Sequence, residues 1–312
     1  MTEAVVERVD RLTVLASPPE PLFRALTERL LLPAAWPVTL HPRFTSGGVN
    51  LGNLHLEVLQ VRRARPPGDA SRRARLHSLA FQLAPFDESL PELDRRGVPH
   101  TPPEPYYIVD DQGWQVNAWT SIVLNRLLGS SPLAGIYQAL ARRAPVEPWQ
   151  SGALAPPPDR SIEQTFIYER VYPTGMITAL NYNPAWRALN IRSDPPAGGI
   201  ELLGVYEITV GLRDFSRAYP LWAALLAPHP ELVEGVWELP GGLHLRLIDL
   251  SKDAPQHTAS RRPGITRMIW QVASLNRAAQ FLHRRGILGP ETGGQITISP
   301  AAIAGLDVRL VQ

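Results

Sequence analysis

Cysteine is absent from the 312 residues. Disulfides, iron–sulfur clusters, thiolate zinc sites and cysteine nucleophiles are therefore excluded, and any metal would have to be held by His, Asp and Glu. Lysine is almost absent too: Lys252 is the single lysine among 31 basic residues, so a Schiff base could form nowhere else. No stretch reaches the roughly 18 uncharged apolar residues of a membrane span. A charge excess is also missing. Thirty-one basic residues against 29 acids leave a net charge of +2, which is no footprint for nucleic acid. The first residues, Met1-Thr-Glu-Ala-Val-Val-Glu7, carry acids where a signal peptide carries basic residues and an apolar run, so a cytoplasmic protein is expected. What remains is ordinary globular composition, 44% hydrophobic and 19% charged, at a length that suits two domains.

One pattern occurs four times. A short apolar strand runs into an acid, Ser or Pro and then into an amphipathic helix. The strands are predicted at Arg11–Ser17, His77–Pro85, Tyr206–Asp214 and Arg267–Ser274, each followed by a helix, at Pro18–Leu32, Phe86–Arg96, Phe215–Ala227 and Leu275–Arg285. Ser17, Asp214 and Ser274 suit N-caps, while Gly97 and Gly286 follow Arg-Arg where a helix should end. Asn53-Leu-His-Leu-Glu-Val-Leu59 resembles Gly242-Leu-His-Leu-Arg-Leu-Ile248. Both alternate with period 2, and Gly47-Gly48 and Gly241-Gly242 read as the hairpin turns before them.

The repeating unit is therefore a strand, a helix and about three strands. The second unit is too long by about one unit's worth of chain. The excess falls at about 113–160, where Trp119, Ile122, Val123 and Leu127 stand at helical spacing. Ala144–Arg160 reads as a proline-rich loop and Asn183–Gly199 as a linker. The expected fold is α+β: four βαβββ units forming two tandem domains, 1–190 and 200–312, with a helical insertion in the second unit.

A fourfold βαβββ pattern with this rhythm resembles the vicinal oxygen chelate superfamily of glyoxalase I, bleomycin-resistance proteins and extradiol dioxygenases. The residues that carry it are Tyr206–Asp214, Gly264–Gly286, Ile296–Gln312 and, in the first half, His41 to Glu57. The resemblance implies that each pair of units curls into a cup. It also implies a divalent metal, held by a His on the first strand of a unit and a Glu on its last strand. Carried over position by position, the first strands give Arg11, Ser78, Glu207 and Arg267. The last strands give Glu57, Arg246 and Arg309, with Asn181 or a neighbour in the second unit.

Those residue types depart from the pattern. Arginine stays protonated and does not ligate metal, so Glu207, Arg246, Arg267 and Arg309 form a salt-bridged plug or an anion pocket. The N-terminal cup offers Arg11, Glu57 and Ser78. There His55 and Glu57 share a strand face, and with His41 they could hold a divalent metal. His77 shares parity with Leu79, Phe81 and Leu83 and so belongs to the core face, unless a bulge turns it inward. Trp114 and Trp119 could cover the pocket or lie in the core. The run Arg62-Arg63…Arg65 and Arg72-Arg73…Arg75 reads as a solvated hairpin tip.

The expected function is uptake of a small anionic or oxygen-rich molecule in a cup, with Arg11, His55, Glu57, Ser78, Glu207, Arg246, Arg267 and Arg309 as ligand-facing residues. Two alternatives stand beside it. One is a metal-dependent glyoxalase or dioxygenase using His41, His55, Glu57 or His77 in the N-terminal cup. The other is a non-catalytic sequestering protein. The expected partner is a small molecule, with neither nucleic acid nor membrane, and the chain is expected to form a homodimer.

Overall fold

The structure, a computed structural model, describes residues 4–40, 44–61, 74–109, 115–129, 133, 136, 167–191, 199–252 and 263–312. His41, Trp114, the arginines between 62 and 73 and the proline-rich stretch 144–160 lie outside the described residues.

The first sheet holds eight strands: β1 (Val6–Leu15), β2 (Ala34–Leu40), β3 (Phe44–Asn50), β4 (His55–Val61), β5 (Arg75–Leu83), β6 (Glu104–Val109), β7 (Gln115–Leu124) and β8 (Met176–Tyr182). The second holds β9 (Leu202–Leu212), β10 (Glu231–Val233), β11 (Val236–Leu239), β12 (Leu243–Asp249), β13 (Gly264–Val272), β14 (Leu288–Thr292), β15 (Gln295–Ile298) and β16 (Val308–Val311). Their orders are β2-β3-β4-β1-β5-β8-β7-β6 and β10-β11-β12-β9-β13-β16-β15-β14. Adding eight to every number in the first order gives the second, so the duplication read from sequence is a duplication of topology. Within each unit the first and last strands pair in parallel (β1 with β4, β5 with β8). The two units of a half meet through the antiparallel pair β1–β5 or β9–β13. The architecture is α+β, built from two tandem βαβββ pairs.

Each unit's first strand leads into a helix: α1 (Glu20–Arg24, continued to Arg29 by a wider π-type turn), α2 (Phe86–Arg95), α4 (Phe215–Leu226) and α5 (Leu275–Arg284). The short α3 (Pro184–Asn190) occupies part of the stretch expected to be linker, because Asn183 accepts from the N–H groups of Ala185 and Trp186 and Pro184 fixes the first turn. Asp214 and Ser274 cap α4 and α5 as expected. Ser17 does not cap α1; its hydroxyl accepts from Gln60 Nε2 at 3.1 Å. Gly97 and Gly286 both take positive φ just past their helices.

Alternation along β1 and β5 divides the two faces. Leu12, Val14, Leu79, Phe81 and Leu83 join a core that runs through both halves and includes Trp222 and Trp270, all buried. Arg11, Thr13, Ser78 and Ala80 face the other way. Contacts across the halves are specific. Trp222 Nε1 donates to Leu127 O at 2.8 Å, and Arg96 donates to Ala224 O and Ala227 O. The Asn53 side chain meets strand β9 as another strand would: Nδ2 donates to Val205 O at 2.8 Å and Oδ1 accepts from Val205 N at 2.9 Å.

Two local expectations need correction. Trp119, Ile122 and Val123 stand on strand β7, not on a helix. Ala118, Ile122 and Leu124 are buried at even positions, so period 2 and not the 3.6 spacing governs this stretch. Helical residues of the insertion are described at Leu133 and Ile136. Gly47 and Gly48 lie inside β3, paired with Val58 and Glu57, and make no turn. A Cβ on Gly48 would stand 2.5 Å from ring atoms of Trp36, so these glycines are flat seats for aromatic side chains. Gly241 and Gly242 do form a turn, at φ 84° and 70°. Among the described residues no helix is long and apolar enough to cross a membrane.

Candidate functional site

Residues paired across a sheet project to the same face, so register places the candidate residues in rows. On the first sheet one row runs Glu57, Thr13, Ser78, Met176, and the next runs His55, Arg11, Ala80, Thr178. On the second sheet the matching rows begin Arg246, Thr209, Arg267 and His244, Glu207, Ile269, Arg309. Every position carried over from the resemblance falls on this grid, and the unresolved one in the second unit is Thr178, not Asn181. Threonine and histidine recur at the same points in both halves. The acid and the arginine recur with places exchanged: Arg11 on β1 and Glu57 on β4, against Glu207 on β9 and Arg246 on β12.

In the N-terminal half the rows floor a cavity of about 150 Å³. Arg11 is nearly buried. Its Nη1 lies 3.6 Å from Glu57 Oε1 and its Nε 3.6 Å from Asp10 Oδ2. Glu57 Oε2 accepts from the Thr13 hydroxyl at 3.0 Å. Asp10 reaches the same side as Arg11 because the register shifts between Val9 and Arg11, leaving Asp10 as the extra residue of a bulge. It is almost fully buried. It accepts from Tyr182 at 2.9 Å and lies 3.4 Å from Arg187. Burial pushes the Tyr182 hydroxyl well above its ordinary pKa, and the Asp10 bond adds to the effect, so Tyr182 stays a neutral donor.

Aromatic side chains make one wall. Tyr106 and Trp119 stack at 4.2 Å between ring centres, and Phe44 stands 6.1 Å from Tyr106. The Arg11 guanidinium lies 5.7 Å over the Trp119 ring. Ser78, Thr178, Ser121 and Glu104 bring hydroxyl and carboxylate oxygens to the same space. Trp119 is thus a cavity wall. Sequence reading missed Asp10, Glu104, Tyr106 and Thr178. Thr178 was recoverable from alternation along β8, whereas Asp10 depends on a bulge that leaves no mark in sequence.

His55 keeps its place in the row, with its ring 5.8 Å from Trp36. His77 is fully buried, its ring nitrogens on Ser78 Oγ at 2.7 Å and Tyr172 O at 3.0 Å. The register skips it, since Thr13 pairs with Ser78 and Val14 with Leu76, so His77 is the extra residue of a second bulge and parity with Leu79 and Phe81 does not fix its face; it is not among the residues lining the cavity. His41 lies outside the described residues.

In the C-terminal half Arg246 Nε donates to Glu207 Oε2 at 2.8 Å, and Glu207 Oε1 accepts from Thr209 at 3.1 Å. Asp307, which sequence reading overlooked, takes the other two arginines: Arg267 at 3.1 Å and Arg309 at 3.3 Å. Its signal was available, since Asp307 stands just before β16 and two residues ahead of Arg309. The four expected groups become five. The formal balance is three arginines less two acids, +1 and not +2, and each arginine is paired within the protein.

The resemblance implied a divalent metal, and these residues do not fit one. The N-terminal positions supply one carboxylate, already shared by Arg11 and Thr13, and two hydroxyls. The C-terminal positions supply three arginines and one carboxylate, Glu207, already held by Arg246 and Thr209. Among the described residues no group of three or more His, Asp or Glu side chains is placed to hold a metal ion.

No family model and no curated protein matches the chain in sequence. Solved structures do match in shape. A triple mutant of 4-hydroxymandelate synthase from Streptomyces coelicolor has a TM-score of 0.56 at 12% identity, over 98% of this chain and 92% of that one. The 2,3-dioxygenase LapB from Pseudomonas sp. KL28 has a TM-score of 0.52 at 9% identity, over 99% and 93%. A catechol 2,3-dioxygenase has a TM-score of 0.50 at 11% identity, over 98% and 93%. Identities this low speak for the fold alone. With the repeated eight-strand order and the cup-facing rows, they establish that the chain has the vicinal oxygen chelate fold.

Proposed function

We propose that the N-terminal cup takes up one small, oxygen-rich molecule, gripped by Arg11 and the hydroxyl floor against the Tyr106–Trp119 wall. The observation that carries this reading is the convergence of a nearly buried arginine, six hydroxyl or carboxylate side chains and a stacked aromatic pair on one cavity. Such a mix of apolar walls and a few placed polar groups is what ligand sites use. The size supports a ligand of about one ring, since an apolar cavity of ~150 Å³ takes up benzene. The charge of Arg11 is already met by Asp10 and Glu57. Its value to a ligand is its N–H donors, which favours neutral hydroxyl or carbonyl oxygens over an anion.

Calorimetric titration with catechol, a small 1,2-diketone and an α-hydroxyketone tests the reading, with phenol as the single-oxygen control. Saturable uptake of at least one two-oxygen probe, weakened by Ser78→Ala and by Trp119→Ala, is the expected result. Uptake of none, or uptake indifferent to both substitutions, overturns it.

A further inference from the structure

The two cups make the same pair of bonds with the acid and the base exchanged. Glu57 has one oxygen on the Thr13 hydroxyl and the other facing Arg11. Glu207 has one oxygen on the Thr209 hydroxyl and the other on Arg246. The acid stands on the last strand of its unit in one half and on the first strand of its unit in the other. What the two halves share is a carboxylate with one threonine and one guanidinium, placed between the same two strands.

From this we infer that each cup carries its own covalently attached cation. Arg11 and Arg246 fill the place at which this fold would otherwise seat a divalent ion, and both cups work without metal. The N-terminal guanidinium is fixed from three sides: Asp10 and Glu57 each lie at 3.6 Å, and the Trp119 ring lies beneath it. A dication brought to Glu57 would meet a positive charge on the same carboxylate and would have to displace it. The remaining positions oppose a metal as well. They hold the neutral hydroxyls of Ser78 and Thr178 in one half, and Arg267 and Arg309 on Asp307 in the other. Like charges at such separations repel strongly when water is partly excluded.

The inference concerns the site proposed above, and its test uses metal alone, so that it stands or falls apart from ligand uptake. Co2+ and Zn2+ are titrated by calorimetry into the intact wild-type chain, Glu57→Gln, Arg11→Gln, Arg11→His and Arg11→His/Glu57→Gln, with visible absorption of Co2+ as a second readout. Folding of each variant is checked by circular dichroism. The wild type is expected to take up no ion at the cup. Arg11→His is expected to bind Co2+ at least about tenfold more tightly than wild type, since the repelling charge has become a ligand beside Glu57, and the added Glu57→Gln should abolish the gain. Arg11→Gln, which removes charge at similar length, should show a smaller gain in the same direction. The inference is overturned if wild type binds one divalent ion that Glu57→Gln abolishes, or if folded Arg11→His and Arg11→Gln bind no better than wild type. Should both variants fail to fold, the wild-type titration with its Glu57→Gln control decides alone.

Discussion

Arg11→Ala and Glu207→Ala remove one partner each from pairs that match in position, yet their costs should differ severalfold. In the N-terminal pair both side chains are nearly enclosed, with 13% exposure for Arg11 and 10% for Glu57. Removing Arg11 leaves Glu57 buried with the Thr13 hydroxyl still donating to it. Breaking a buried pair in this way costs about 3–5 kcal/mol. The 3.6 Å separation puts the pair at the weak end of that range. Asp10 loses one cation but keeps Arg187 and the Tyr182 hydroxyl. The expected loss is about 3 kcal/mol. Removing Glu207 instead strands Arg246, whose side chain is 42% exposed and can turn to water. That loss should stay near the value of an exposed pair, about 1 kcal/mol or less. Urea unfolding followed by circular dichroism measures both, with slopes compared so that a change in midpoint reads as stability. A cost under about 1 kcal/mol for Arg11→Ala, or equal costs for the two variants, would refute the claim that burial of the orphaned partner sets the penalty.

Three further outcomes are expected. Asn53→Ala leaves Val205 N and Val205 O without their cross-half partner, so urea unfolding should show a loss of about 1–3 kcal/mol. Gly48→Ala drives a Cβ into the Trp36 ring and should destabilise by about 1–3 kcal/mol, with a changed Trp emission spectrum as the ring leaves its seat. Glu92 is held down to about 2 from an ordinary value of 4.5, first by the Arg95 bond and then by Arg96. A depressed carboxylate stabilises the fold above its unfolded pKa and loses that contribution as pH falls from about 4.5 towards 2. Carboxyl NMR should therefore find the Glu92 midpoint near 2, rising towards the ordinary range in Arg95→Ala; an unchanged midpoint would refute the assignment.

The parts of the fold legible in sequence are those governed by local periodicity and caps. Leu79, Phe81 and Leu83 against Ser78 and Ala80 divide β5 into its two faces by alternation alone, and that division puts Ser78 at the cavity, whereas His77 stands at a bulge that alternation does not govern. Repetition did the rest: His55 and His244 occupy the same register because the strands that carry them are copies. Strand β7 was hidden because Ile122, Val123 and Leu127 satisfy a helical spacing while Ala118, Ile122 and Leu124 satisfy a strand's. Only its pairing with β8, from a distant part of the chain, decides between them. The cavity wall was missed for a related reason. Tyr106 and Trp119 meet by pairing across β6 and β7, which no local pattern announces.

The exchange of acid and base between the halves has a local cause at the bulge. In β1 the extra residue is Asp10, and its buried carboxylate lies against the residue at position 11. An acid at position 11 would set two carboxylates side by side out of water, so arginine is the sign that position tolerates. In β9 the matching irregularity falls between Ile269 and Trp270 on the partner strand, at Tyr206, whose ring packs edge-on against His244 at 4.7 Å. The residue at that bulge is uncharged, and an acid is accepted at position 207. The partner on the last strand then follows by complementarity: Glu57 opposite the arginine, Arg246 opposite the acid. With Asp10 come Tyr182 and Arg187, which seal the N-terminal pair from water. Without a counterpart to Asp10, Arg246 remains half in solvent. The side chain carried at one shared bulge, Asp10 against Tyr206, thus separates the half that encloses its ion pair at the floor of a cavity from the half that leaves it at the surface.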